Sequence, residues 1–226
     1  RVMHTQVCAS IFSALIGANM KAQLYKLNCS IQRIAAPALL AATVGLGFGA
    51  MAQAAEIQPQ WTEQGELLQP KDFREWVFIG APLTPHGLNN GKANFPEFHN
   101  VYVPPAAFKA YRATGEWPEG TMILKELQLT SGTPEFKDGS HFEPSGRGYF
   151  PGAVNGVDVM VKDSKRFAKS KNWGFFNFNH SAPPYLKAAS ERSIAECAGC
   201  HIANAHEDMV YVNLYKPILT PLPLPK

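Results

Sequence analysis

Cysteine is scarce in this 226-residue chain, acid is missing from one end of it, and no apolar run is long. The first 54 residues hold Arg1, Lys21, Lys26 and Arg33 but no aspartate or glutamate, so the formal charge of +3 is unevenly spread. With those four of the 21 basic residues set aside, the remainder carries 17 bases against 18 acids. No basic surplus is left there to neutralise phosphates, which excludes nucleic acid as a natural partner. The longest apolar stretch, from Ile34 to Met51, falls short of the roughly 20 residues that span a bilayer. There is no internal repeat and no glycine-rich nucleotide loop.

The acid-free start instead has the layout of an export leader. Lys21, Lys26 and Arg33 precede the glycine-rich apolar run, and Ala52-Gln53-Ala54 offers the small residues of a cleavage site. The reading is that Met20 starts translation, that the leader is cleaved near Ala54, and that the product is periplasmic with no stable membrane insertion. Residues 1–54 are then an upstream segment plus signal peptide, and 55–226 a single domain.

Of the four cysteines, Cys8 and Cys29 leave with the leader, and only Cys197 and Cys200 remain. A close cysteine pair in an exported protein fits a disulfide, a metal or a haem. The next residue decides between them. Cys197-Ala198-Gly199-Cys200-His201 is the C-x-x-C-H pattern, in which two thiols add across the haem vinyl groups and the adjacent histidine is brought under the iron. A thioredoxin-like redox pair is disfavoured, because the motif lies near the C-terminus with no βαβ pattern before it.

Proline, by contrast, is abundant at 18 residues, which rules out a bundle of long helices. Short segments rich in β-branched and aromatic residues read as strands: Phe98–Val103, Met122–Leu129, Val154–Val161, Phe175–Asn179 and Met209–Tyr215. Pro104-Pro105 opens a short helix that ends near Gly115. Gly132–Gly148, glycine-rich with Pro134 and Pro144, reads as a mobile surface loop. Pro183-Pro184 is expected to open a helix to about Ser190, Ile194–Ala205 to form another that carries the haem motif, and Pro217–Lys226 to be an irregular tail. The fold class is mainly β (α+β), about five strands with a few short helices.

The sixth iron ligand separates an electron carrier from a binder or catalyst. Met122, Met160 and Met209 lack a convincing ligand setting, with Met209 reading as core. His206 lies too close to His201 to cross the haem, and His86, His141 and His180 sit in loop contexts that read as solvated. An open distal face follows. Lys125 matters for another reason, since alternation places it with Ile123, Leu127 and Leu129 on one face of its strand. If that face is the inner one, desolvation favours the neutral, nucleophilic amine. If the inner face is that of Met122 and Leu124, Lys125 is solvated beside Glu126. Pattern alone leaves both open.

Taken together, Lys71-Asp72-Phe73-Arg74-Glu75-Trp76-Val77, Gly120–Leu127, Gly148-Tyr149-Phe150, Val161–Phe167, Asn172-Trp173 and Glu196–His201 resemble the cytochrome P-460 family. In that family a lysine is joined covalently to a c-type haem. The resemblance implies a mostly antiparallel sheet, a homodimer, and one haem c per chain held by Cys197 and Cys200. It also implies His201 as axial ligand and Lys125 bonded to the haem edge. The implied activity is oxidation of hydroxylamine, with nitrous oxide as product and a soluble c-type cytochrome as electron acceptor. Family members carry an acid, glutamate in one case, where this chain has Asp158, and an arginine in the pocket where it has His99. Both residues are therefore candidate catalytic groups, Asp158 as proton acceptor. Alternation puts Asp158 on one face with Gly156 and Met160. The rival within the fold is the β-type cytochrome c′, which lacks the lysine link, crowds its pocket with phenylalanines and binds nitric oxide or carbon monoxide. A six-coordinate electron-transfer cytochrome is the rival from another class.

Overall fold

The computed structural model describes residues 56–222, so the expected leader, with Met20 and the cleavage site at Ala54, lies outside the described residues. In chain order the elements are β1 (Leu67–Leu68), β2 (Val77–Gly80), β3 (Phe98–Val103), α1 (Pro105–Thr114), β4 (Met122–Thr130), β5 (His141–Glu143), β6 (Gly146–Gly148), β7 (Pro151–Lys162), β8 (Trp173–Asn177), β9 (Ala188–Ala189) and α2 (Gly199–Asn204). A wide π-type turn, Ile194–Ala198, leads into α2.

Five strands form one antiparallel sheet in the order β2-β3-β4-β7-β8. The fold is thus mainly β, as the sequence and the resemblance implied. Its central strand β4 is covered on both faces. Met122 and Leu124 enter one core with Leu67, Phe73, Trp76, Val157 and Phe176. Ile123 enters another with Ile79, Val101, Met160, Phe175 and Val210. Helix α1 begins with proline, whose missing N–H costs nothing in a first turn, and ends at Gly115 in the left-handed conformation that glycine takes most readily. Tyr111 on its inner side stacks on Trp117 with ring centroids 4.0 Å apart.

Four expectations are corrected. Met209–Tyr215 is no strand, and the fifth place in the sheet belongs to β2. Asp208 and Met209 take left-handed φ values of 50° and 64°, which breaks any extended run. Asp208 is held there by Lys162 Nζ at 2.7 Å and Trp173 Nε1 at 3.2 Å. Pro183-Pro184 opens no helix; the segment instead runs to β9, which pairs with β1. Gly132–Gly148 contains an ordered hairpin, β5 with β6, fastened by Arg147 to Asp138 at 2.6 Å and by the Arg147 guanidinium 3.6 Å over the Phe136 ring. The start of the expected tail is packed: Leu219 is fully buried, and Arg112 binds the Ile218 carbonyl at 2.8 Å.

Candidate functional site

The attachment motif sits on a segment that is capped where it begins. Ser193 donates both its N–H and its hydroxyl to Glu196 Oε2, at 2.9 and 2.8 Å, in a capping box that starts the π-type turn, and Arg192 pairs with the same carboxylate. Gly199 lets that turn close, since a Cβ there would stand 3.1 Å from the Ile194 carbonyl oxygen. Cys197 is half-buried, Cys200 is exposed, and neither is in a disulfide. Tyr211 donates its hydroxyl to the Cys200 carbonyl at 3.3 Å. The His201 ring lies between Phe175 and Tyr211, with centroids 4.7 and 4.9 Å away. Its Nδ1–H donates to the Met209 carbonyl at 2.7 Å. Burial lowers His201 below the ordinary histidine range. A neutral imidazole oriented by a carbonyl on Nδ1 leaves Nε2 as the ligating nitrogen, the arrangement iron requires.

Cys197, Cys200 and His201 form one wall of a cavity of about 500 Å³. The sheet forms the other, with Ile123, Lys125, Asp158, Met160, Val101 and His99 facing in. Lys125 and Asp158 are direct cross-strand partners, as are Asp158 and Asn177. Lys125 Nζ lies 3.0 Å from Asp158 Oδ2 and 4.2 Å over the Phe95 ring. Asn177 Nδ2 donates to Asp158 Oδ1 at 2.7 Å. Burial by itself would raise the Asp158 carboxyl. The hydrogen bond from His180, the Lys125 charge and the Asn177 amide outweigh it and hold the group well below the carboxylate range. His99 is lowered to about 4 by burial and by the Lys125 charge, and its buried Nε2 has no partner among the described residues.

These walls fit a haem. Two thiols and a neutral imidazole stand on one side, a largely apolar lining surrounds them, and a buried ring nitrogen waits unpaired on the other. Among the described residues no three histidine, cysteine or acidic side chains converge as a bare metal ion would require. Residues 70–212 match the family described as Cytochrome P460. The chain belongs to the cytochrome P460 family. No curated protein matches it. A haem cofactor comes with that membership.

Within this cytochrome P460 domain the sequence-stated candidates Lys125, Asp158, His99, Cys197, Cys200 and His201 all line one cavity. The open question about β4 is resolved, since Lys125 faces that cavity and Met122 and Leu124 the opposite core. Met160 also lines the cavity, beside Phe175 at the end nearer His201, whereas Met122 belongs to the other core and Met209 contributes its carbonyl. His86 and His206 are exposed, but His141 is buried, against expectation. His180 is exposed, as its loop context implied, and is in addition bound to Asp158 through Nε2, at 3.0 and 3.2 Å from its two oxygens. The signal that could have found it is Asn177-Phe178-Asn179, since asparagine readily takes the left-handed turn that brings the next residue back over the sheet.

Proposed function

We propose that this protein is an exported, periplasmic, homodimeric cytochrome that oxidises hydroxylamine to nitrous oxide. It carries one haem c on Cys197 and Cys200, with His201 as axial ligand, and passes electrons to a soluble c-type cytochrome. The observation that carries the reading is the convergence of the attachment motif, the Lys125 amine and the Asp158 carboxylate on one cavity.

When bound, the haem would supply an iron able to accept electrons. His201 would hold that iron, its ring fixed by the Met209 carbonyl. Lys125 is held at the cavity wall by Asp158, and in this reading it is the residue that would be bonded to the haem edge. Such a link ties β4 to the cofactor and replaces a charge that is costly to desolvate with a neutral amine. Two hydroxylamines give one nitrous oxide and one water, with four protons and four electrons released, so the cavity needs a proton acceptor. Asp158 is that group, oriented by Asn177. His99, neutral, offers Nε2 as an acceptor for a substrate N–H or O–H.

The gas-binding reading draws on Phe95, Phe175 and Phe176 in the lining, whereas the six-coordinate reading gains no support from Met160, which lies at the end nearer His201. One absorption spectrum of the purified protein, with a hydroxylamine assay using an artificial electron acceptor, separates the three. The proposal expects a lysine-perturbed haem spectrum and turnover. An ordinary high-spin spectrum without turnover would favour the gas binder, and a low-spin one the electron carrier.

A further inference from the structure

His180 has no part in the reading above, yet its position is built by several residues. Asn177 donates through Nδ2 to Asp158 and accepts the Asn179 N–H on Oδ1 at 3.1 Å. Asn179 takes a left-handed φ of 85°, and the chain folds back across β7 at Gly156. A Cβ at Gly156 would stand 2.9 Å from the Asn179 oxygen and 3.0 Å from His180 Cα, so the missing side chain is what admits the turn. Phe95 stands edge-on against the imidazole, centroids 6.2 Å apart. The His180 side chain is 43% exposed, whereas Asp158 is 25% exposed. A carboxylate on the cavity is thereby joined to an imidazole that reaches solvent.

We propose that His180 is the proton exit of this site: a proton leaving bound hydroxylamine passes through the Asp158 carboxylate to His180 Nε2 and from the imidazole to water. The inference rests on the hydroxylamine reading and deepens it. An N–H or O–H bond of the substrate breaks and its electron pair stays with the substrate. An O–H bond forms on Asp158 and then gives way to an N–H bond on His180. Neither residue changes oxidation state.

A carboxyl held low cannot store a proton at neutral pH, and its partner can. The hydrogen bond to Asp158 raises His180 above the ordinary histidine value, helped by the Asp158 and Glu97 charges and opposed by burial and Lys125. Those three charged groups, with the neutral His99 on the far side of Phe95, are the titratable groups facing it. His99 does not compete, because it is buried and lowered to about 4.

The test uses the holoprotein and its His180→Gln and Asp158→Asn variants. Wild-type turnover is expected to rise with pH through a value above that of free histidine. His180→Gln should keep haem content and spectrum, lose that rise, fall about 10²-fold in turnover, and regain activity with added imidazole. Proton release followed with an indicator dye should lag the spectral change in His180→Gln and keep step with it in the wild type. In isotope-labelled histidine spectra, Asp158→Asn should move the His180 titration back down to the ordinary value. An active wild type whose His180→Gln variant keeps the same pH profile and proton release overturns the His180 assignment alone. A wild type inert to hydroxylamine overturns both readings.

Discussion

Lys125 and Glu126 are adjacent on the central strand, point to opposite faces of the sheet, and are each paired with an opposite charge, but the two faces treat their pairs differently. Glu126 is 3% exposed and is gripped by Arg74 through two hydrogen bonds, Nη2 to Oε1 at 2.5 Å and Nε to Oε2 at 3.3 Å. Around it lie the packed side chains of Leu124, Val157, Phe73 and Phe176. Lys125 and Asp158, 24% and 25% exposed, look into a cavity that their neighbours leave open. One pair completes a core. The other is held ready beside space for a cofactor and substrate. The difference teaches that a buried charge on this strand is structural where packing closes over it and chemical where packing stops.

If that division holds, substitutions on the closed face cost stability, and those on the open face cost chemistry. Leu124, fully buried on the closed face, should show the largest effect. Leu124→Ala is expected to lower unfolding free energy by about 3–4 kcal/mol in urea titrations, with turnover per haem unchanged. On the open face, Asp158→Asn should lower the urea midpoint less than Leu124→Ala does, through loss of its pairing with Lys125 and His180, while turnover falls about 10²-fold, or about 2.7 kcal/mol of barrier. Turnover intact in that variant would return Asp158 to a merely structural part. Next in size, Arg74→Ala strands the buried Glu126 carboxylate and should cost about 2 kcal/mol, discounted from the fully buried case because Arg74 itself is solvated. A loss of activity per haem in this variant would break the comparison.

The smallest effect is a pH dependence of stability. His180 is raised in the folded state, so its contribution is complete below its ordinary value of 6.5 and is lost as pH climbs through the raised value. Asp158 is lowered, so its contribution is complete above 3.8 and is lost as pH falls through the lowered value. His180 and Asp158 together therefore support the fold most between those two limits. Urea midpoints across pH should decline on the alkaline side in wild type and stay flat there in His180→Gln. The closed-face pair should contribute nothing to that slope, because its Arg74 guanidinium, raised by the Glu126 hydrogen bond, stays charged throughout.

How much of this was legible in the sequence follows from the range of the interactions. The C-x-x-C-H motif is local and could be read directly. Alternation placed Lys125 and Asp158 on a face of their strands, since period two does so whatever the tertiary fold, but what singled them out was the family resemblance. Alternation does not say which face is inner when both are buried, and β4 is buried on both. The Arg74–Glu126 pair escaped notice because its partners are 52 residues apart and a charged residue on a strand reads as solvated. The pairing of His180 with Asp158 was not legible because it depends on a glycine on another strand admitting its turn. Met209–Tyr215 was misread as a strand because its valines and tyrosines have strand composition, while the bend at Asp208 that decides its path is set by Lys162 and Trp173 from distant elements.

The account turns on what the Lys125 amine meets in the cavity, and peptide mapping of the purified wild-type protein with its absorption spectrum tests this most directly. The expected result is one haem bearing both the Cys197–His201 peptide and the Lys125 peptide, with a spectrum that Lys125→Leu converts to that of an ordinary high-spin c-type haem with little hydroxylamine oxidation. A wild-type protein that already shows the ordinary spectrum and yields a free Lys125 peptide would contradict it.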